Sequence, residues 1–186
     1  HLGNHEVSDN DLWEAFNNSV GNGKVFFYDH FGSSDEDNLL SRIRYFGVAL
    51  GCKYIILDHL SIVVSGLEGG DERRIIDNTM TKIRTLVEEL GIGMILVSHL
   101  KRPNSDKGHE DGLRTSLAQL RGSAGIGQLS DIVIGLERNQ QSQETSDLST
   151  VRILKNRWTG ETGICCQLLY SKETGRMTEQ LEEVDF

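Results

Sequence analysis

The sequence predicts a doubly wound α/β domain built on a mostly parallel sheet. Two short apolar runs, at residues 53–57 and 93–98, have the length and content of buried parallel strands. Between them, residues 71–90 carry apolar side chains at helical spacing, and Gly91 ends that helix. A strand, a helix and a second strand joined by short connections form the right-handed crossover unit of a parallel sheet.

Further elements are predicted on both sides of this unit. Upstream, we predict a helix after Ser8, a short strand at 25–29, and a helix that starts with a capping box at 34–37 and ends at Gly51. Downstream, we predict a strand at 131–137, a hairpin of 150–155 with 163–170, and a frayed end over 177–186. With 186 residues, the chain is expected to form a single domain.

Composition limits the classes of function. The formal net charge of −9 argues against a nucleic-acid binder held by bulk charge, but it allows contact through one local basic loop. No apolar run has the length of a membrane span, and no secretory signal is present. Cys52, Cys165 and Cys166 form no metal-ligand spacing, so a reducing, cytoplasmic location without membrane attachment is expected.

One basic loop stands out in this acidic sequence. From residue 100 to residue 125 the periodic pattern breaks, and cations lie among proline, glycine and polar residues. Three acidic residues oppose them, at positions 106, 110 and 111. The cations of this loop are Lys101, Arg102, Lys107, Arg114 and Arg121.

Polar side chains follow the predicted strands. Asp58 ends the first strand, His99 follows the second and Arg138 follows the third. In a parallel sheet such residues converge on one edge, where a carboxylate, a polar sensor and a cation suit a polyphosphate with magnesium. Asp58 and His99 also have simpler interpretations, in which Asp58 is solvated and His99 is hydrogen-bonded at a strand end. His59 is interpreted as a neighbour that shapes the Asp58 loop, because no second histidine lies at ligand spacing.

The predicted hairpin carries two cations at its tip, Lys155 and Arg157. Exposed cations at hairpin tips usually face solvent, and the sequence alone favours that interpretation. The functional alternative is an arginine finger, a cation that reaches the nucleotide of a neighbouring subunit and neutralises charge in the transition state.

Five blocks in a fixed order resemble those of ring-shaped replicative DNA helicases. The resemblance covers residues 25–177 and is strongest to the helicase half of phage primase-helicases and their mitochondrial relative Twinkle, with bacterial DnaB more distant. The blocks are Ile-Ile-Leu-Asp-His at 55–59, Ser-His-Leu-Lys at 98–101, Leu-Arg-Gly-Ser at 120–123, Leu-Glu-Arg-Asn at 136–139 and Ile-Leu-Lys-Asn-Arg-Trp-Thr-Gly at 153–160.

This resemblance implies a RecA-like core with a C-terminal β-hairpin. It also implies hexameric rings and 5′-to-3′ movement on single-stranded DNA, driven by hydrolysis of ATP or dTTP with Mg²⁺. A fused primase domain or a polymerase is an implied further partner. The implied location is the cytoplasm, that of the host for a phage protein, or the mitochondrion for a Twinkle-like one.

On the nucleotide side, the resemblance assigns Asp58 as the magnesium-associated Walker B aspartate, with His59 beside it. His99 matches the residue at the γ-phosphate that reports hydrolysis to the DNA loops, where some relatives use glutamine. Arg157 matches the arginine finger. Lys155 and Arg138 match further cations on the phosphate side.

On the DNA side, the resemblance assigns two loops of the central channel. The first contains Lys101, Arg102 and Lys107, and the second contains Arg121 and Gly122. Cations repeated around a ring give sequence-independent, salt-sensitive binding to the DNA backbone.

The family's phosphate loop is not found in this sequence, and neither is its catalytic glutamate. We expect both, with the phosphate-loop strand, to lie upstream of His1, so that the chain is a partial RecA-like domain with little hydrolysis of its own. Two alternatives stay open. The chain is a non-catalytic RecA-like module for DNA binding or ring assembly, or it belongs to another RecA-family ATPase, such as a recombinase or clock-type protein.

Overall fold

The structure is a computed structural model that describes residues 7–28, 36–63, 72–103, 106–120 and 124–180. Short 3₁₀ turns lie at Leu60–Val63 and Leu117–Gln119. The helices are α1 (Asp9–Asn18), α2 (Glu36–Val48), α3 (Glu72–Leu90) and α4 (Ala124–Leu129). The strands are β1 (Tyr54–Leu57), β2 (Gly93–Leu96), β3 (Ile132–Arg138), β4 (Leu148–Asn156), β5 (Gly163–Tyr170) and β6 (Met177–Glu179).

The predicted crossover unit is confirmed. Strands β1 and β2 pair in parallel, in a register that runs from Tyr54 opposite Gly93 to Leu57 opposite Leu96. Helix α3 connects them, and its apolar stripe is buried in the core that α2 and α4 also contact. Gly91 ends α3 with a φ of +61°, a conformation that costs glycine little because it has no Cβ.

Strands β1 and β2 are buried on one face only. Ile55 and Leu57 pack against the core, whereas Tyr54, Ile56 and Ile95 are 77%, 68% and 56% exposed. The predicted burial of these strands is therefore confirmed for one face only in the described residues. The reason is that the described helices packed on this sheet contact the same face, so no described element covers the second apolar face.

The other four strands form an antiparallel sheet in the order β3-β4-β5-β6. The predicted hairpin is confirmed as β4 and β5. Within the described residues this sheet is separate from the β1–β2 pair, so the antiparallel share is larger than predicted. Residues 177–179, expected in a frayed end, instead form β6 on the edge of β5, and residues 181–186 lie outside the described residues.

The N-terminal predictions had mixed outcomes. Helix α1 begins after Ser8, whose hydroxyl accepts the backbone N–H of Asp11 at 3.2 Å. The predicted strand at 25–29 is wrong for residues 25–28, which are irregular, and Asp29 lies outside the described residues. In the capping box, Ser34 also lies outside them, although α2 starts where that motif predicts. None of the described helices is both long enough and apolar enough to cross a lipid bilayer.

Candidate functional site

The ends of β1 and β2 meet, as the sequence predicted. The backbone N–H of Val97 donates to the Leu57 carbonyl at 2.9 Å and extends the parallel pairing beyond β2. Just past this point, the rings of His59 and His99 have centroids 4.3 Å apart. Asp58 lies next to His59 and is exposed. The structure thus brings a carboxylate and two imidazoles together at one edge of the sheet.

The fit of a magnesium ion to this edge depends on Asp58. Within the described residues, no group of three His, Cys, Asp or Glu side chains could hold a metal. Magnesium does not need such a cage, because it binds through one or two carboxylates and completes its shell with water and substrate phosphates. An exposed Asp58 fits that mode. His59 packs on His99 and its Nδ1 is buried without a partner in the described residues, which suits a shaping role better than metal ligation.

The basic loop is closed at its base by a short antiparallel pairing. The backbone N–H of Lys101 donates to the Gln119 carbonyl at 2.7 Å, and Leu100 forms a β-bridge with Leu120. We call this pairing of residues 100–101 with 119–120 the loop neck. His109 reinforces it with an Nε2 atom 3.0 Å from the Lys101 carbonyl oxygen.

The loop neck contains the first residue of one predicted DNA segment, Lys101, and the residue that precedes the other, Leu120. Lys101 is part of the loop neck and Arg102 follows it in the chain. Both residues are exposed, as is Lys107 further along the loop. Arg121 and Gly122 lie outside the described residues, but they follow Leu120 directly in the chain. Both segments therefore start from one base, which begins one residue after His99.

A buried ion pair anchors the far side of the loop on the antiparallel sheet. Glu137 of β3 accepts the Thr115 N–H and hydroxyl at 2.7 and 2.8 Å. Its carboxylate also receives Arg152 of β4 in a two-point contact, at 2.8 and 3.0 Å. Burial alone would raise the pKa of Glu137, but the hydrogen bonds from Arg152 and Thr115 outweigh it and lower the pKa below its ordinary value.

The two cations of the hairpin tip are held by the junction between α4 and β3. Lys155 Nζ donates to the carbonyls of Gly127 and Gln128 at 2.8 and 2.9 Å, at the C-terminal end of α4. The Arg157 backbone N–H donates to the Asp131 carbonyl at 2.9 Å, and its Nη1 lies 3.1 Å from Asp131 Oδ1. The tip is thus ordered by contacts within the chain, and Lys155 is a helix-end contact here rather than a free cation.

Asp131 has a second cationic partner. Arg84 of α3 donates Nη1 to Asp131 Oδ2 at 2.6 Å and Nε to Glu88 at 2.7 Å. The hydrogen bond from Arg84, with that from Arg157, lowers the pKa of Asp131 although burial acts in the opposite direction. Sequence reasoning missed both Asp131 and Arg84. The one available signal was an aspartate placed immediately before a strand.

Arg138, the last residue of β3, turns toward the segment that follows it. Its Nε donates to the Ser146 carbonyl at 2.6 Å, and its Nη2 lies 3.8 Å from Asp147 Oδ1. Its side chain is partly exposed at the end of the antiparallel sheet. No contact joins it to Asp58 or His99 in the described residues, so the predicted convergence of all three strand ends extends only to the first two.

Residues 3–179 match the family model for the DnaB-like helicase C-terminal domain. The chain belongs to the DnaB-like helicase C-terminal domain family. Among its relatives, the DNA helicase/primase of Enterobacteria phage T3 is 43% identical over 162 residues, which are 87% of this chain and 28% of that protein. A probable plasmid replicative DNA helicase of Chlamydia psittaci is 29% identical over 162 residues, 86% of this chain and 34% of that protein.

Solved structures identify the fold of this DnaB-like domain as RecA-like. A DnaB-like replicative helicase, described with its interactions with primase, aligns with a TM-score of 0.72 at 21% identity over 94% of this chain and 42% of its own. A KaiC-like protein from Pyrococcus horikoshii aligns with a TM-score of 0.59 at 19% identity over 95% of this chain and 72% of its own. The chain spans about a third or less of the two helicase relatives it matches, 28% and 34%.

Proposed function

We propose that this chain is the C-terminal part of a replicative helicase motor, which couples hydrolysis of ATP or dTTP to 5′-to-3′ movement on single-stranded DNA. The observation that carries the proposal is the loop neck. It begins one residue after His99, at the sheet edge that holds Asp58, and both predicted DNA segments leave from it. One short pairing thus connects a candidate phosphate sensor to the candidate DNA contacts.

On the nucleotide side, Asp58 is the carboxylate that holds Mg²⁺ through water. The bound ion supplies neutralisation of charge on the phosphate oxygens. His99 is the γ-phosphate sensor, and its exposed ring is oriented by packing on His59. The positions of the two residues support these roles, because Asp58 and His99 follow adjacent parallel strands that end at the same level.

On the DNA side, Lys101, Arg102 and Lys107 contact the phosphate backbone of single-stranded DNA, together with Arg121 and Gly122. A ring of subunits multiplies these few cations, which makes an acidic chain compatible with DNA binding. We infer a homo-oligomeric ring, because Arg157 is proposed to act on the nucleotide of a neighbouring subunit, and a hexamer is the ring that the resemblance to replicative helicases implies. A primase is a further proposed partner. The phage T3 relative is named a helicase/primase, and the DnaB-like structure is described with primase.

The test is nucleotide hydrolysis with and without single-stranded DNA. We would compare this chain alone with a T3 chimera, in which this chain replaces the matching segment of the phage T3 DNA helicase/primase. The proposal predicts DNA-stimulated hydrolysis by the chimera, loss of it on Asp58→Ala, and negligible hydrolysis by the chain alone. A chimera that forms rings and binds DNA without hydrolysis would instead support the non-catalytic module.

A further inference from the structure

Asp131 is a carboxylate with one cation on each oxygen. Its Oδ1 accepts Arg157 from the hairpin tip, and its Oδ2 accepts Arg84 from α3. We propose that Asp131 is a positioning residue for Arg157, which it holds ready for the nucleotide of the neighbouring subunit. This inference rests on the proposed function, because it requires that Arg157 acts as an arginine finger.

Three contacts fix the hairpin tip to one short segment. Lys155 binds the carbonyls of Gly127 and Gln128, the Arg157 backbone binds the Asp131 carbonyl, and the Arg157 guanidinium binds the Asp131 carboxylate. The first two contacts fix the backbone near the tip. Among the contacts of the described residues, only the third restrains the guanidinium, so we assign Asp131 as the residue that sets its direction.

The geometry leaves the guanidinium available to a second anion. A guanidinium has five N–H donors, and Asp131 accepts one of them from Arg157. The Arg157 side chain is 57% exposed, so it is accessible from solvent in the described structure. A phosphoryl group can therefore bind Arg157 while Asp131 still holds it. A free arginine loses rotamer entropy when it is fixed, and a restraint made beforehand reduces that cost during catalysis.

Arg84 makes the anchor rigid. It lies closer to Asp131 than Arg157 does, at 2.6 Å against 3.1 Å, and is itself held by Glu88. Its contact fixes the second carboxylate oxygen and so the direction of the first. The groups that face Asp131 are Arg84 with Glu88 from α3 and Arg157 from the hairpin tip. The guanidinium of Arg157 stays protonated in this contact, so it can still attract a phosphate.

The test uses steady-state hydrolysis by the full-length T3 chimera with saturating single-stranded DNA. Asp131→Ala is expected to lower kcat about 10- to 100-fold with KM unchanged, because the catalytic guanidinium would be displaced from its working position. Arg84→Gln, which keeps Asp131 but frees its second oxygen, is expected to lower kcat less. Arg44→Ala, which removes the exposed pair with Glu89, is the matched control and is expected to change neither constant.

A double-mutant cycle separates positioning from a general structural role. If Asp131 acts only through Arg157, Asp131→Ala has no further effect on the residual rate of Arg157→Ala, and neither does Arg84→Gln. A further drop in the rate would assign Asp131 a structural role and overturn the proposal.

The single variants give two further outcomes. A normal kcat for Asp131→Ala beside a low kcat for Arg157→Ala would also overturn the proposal, while leaving the arginine finger intact. A normal kcat for Arg157→Ala would instead remove the finger from the proposed function. Where Asp131→Ala does not fold, the cycle with Arg84→Gln decides.

Discussion

The backbone N–H of Lys101 lies 2.7 Å from the carbonyl oxygen of Gln119, although 17 residues separate them in the chain. This hydrogen bond closes the basic loop at its base, beside His99. In the proposed motor, a change at the edge of Asp58 and His99 would therefore reach both sides of the loop through the loop neck. The geometry gives the proposed coupling a physical route and makes each part of it open to mutation.

The first prediction concerns DNA binding by the loop. In the T3 chimera, Lys101→Ala with Lys107→Ala removes two cations per subunit from the proposed DNA path. For single strands the slope of log affinity against log salt is about −0.7 per phosphate contact, so the slope should become shallower by about 1.4 for each subunit in contact. Fluorescence anisotropy over a salt series measures it. Lys172→Ala, a cation paired with Asp147 outside residues 100–125, is the control and should leave the slope unchanged.

An unchanged slope in the double variant would remove Lys101 and Lys107 from the DNA path. A loss of affinity without a change of slope would point to a disturbed loop fold rather than to lost phosphate contacts.

The second prediction concerns the anchor of the loop. The side chains of Glu137 and Arg152 are 8% and 12% exposed, so Glu137→Ala leaves a buried arginine without its partner. Removing one member of a buried ion pair costs about 3–5 kcal/mol. Urea unfolding of the chain should show that loss, whereas Arg44→Ala, from an exposed pair, should cost less than about 1 kcal/mol. Equal small losses in both variants would mean that the Glu137 pair is solvated.

The third prediction follows from the lowered pKa of Glu137. Because the folded state holds this pKa below its ordinary value of about 4.5, the unfolded state binds the proton more readily. Stability from Glu137 is therefore present above pH 4.5 and is lost as the pH falls through the lower, folded pKa. Unfolding midpoints measured from pH 7 down to pH 3 should fall more steeply for the native chain than for Glu137→Gln. Parallel curves would contradict the assignment.

The sequence predicted the elements whose signal is local. Apolar runs with a helix between them predicted β1, α3 and β2, and the Asp58 and His99 edge followed from the parallel topology. The strand predicted at 25–29 is not formed over 25–28, because the apolar residues there pair with no strand in the described part of the chain. Helix α4 was missed because its glycines hide the helical spacing. The partners of Asp131 and Lys155 could not be predicted from the sequence. These contacts depend on how separate elements pack, and such packing produces no periodic pattern in the sequence.

The fourth prediction tests His99 as the link between nucleotide and DNA. In the T3 chimera, His99→Ala removes a hydrogen-bonding side chain from the proposed γ-phosphate position and is expected to lower DNA-stimulated hydrolysis about 100-fold, the cost of one such lost contact in the transition state. His99→Gln keeps an N–H donor of similar reach and should retain more of the stimulation than alanine does. His59→Ala, which removes only the ring packed 4.3 Å from His99, is the matched control and should have a smaller effect than His99→Ala. DNA-free hydrolysis measured in parallel separates coupling from chemistry. If His99→Ala lowers both rates by the same factor, His99 serves hydrolysis alone and the loop neck does not carry its signal to the DNA segments.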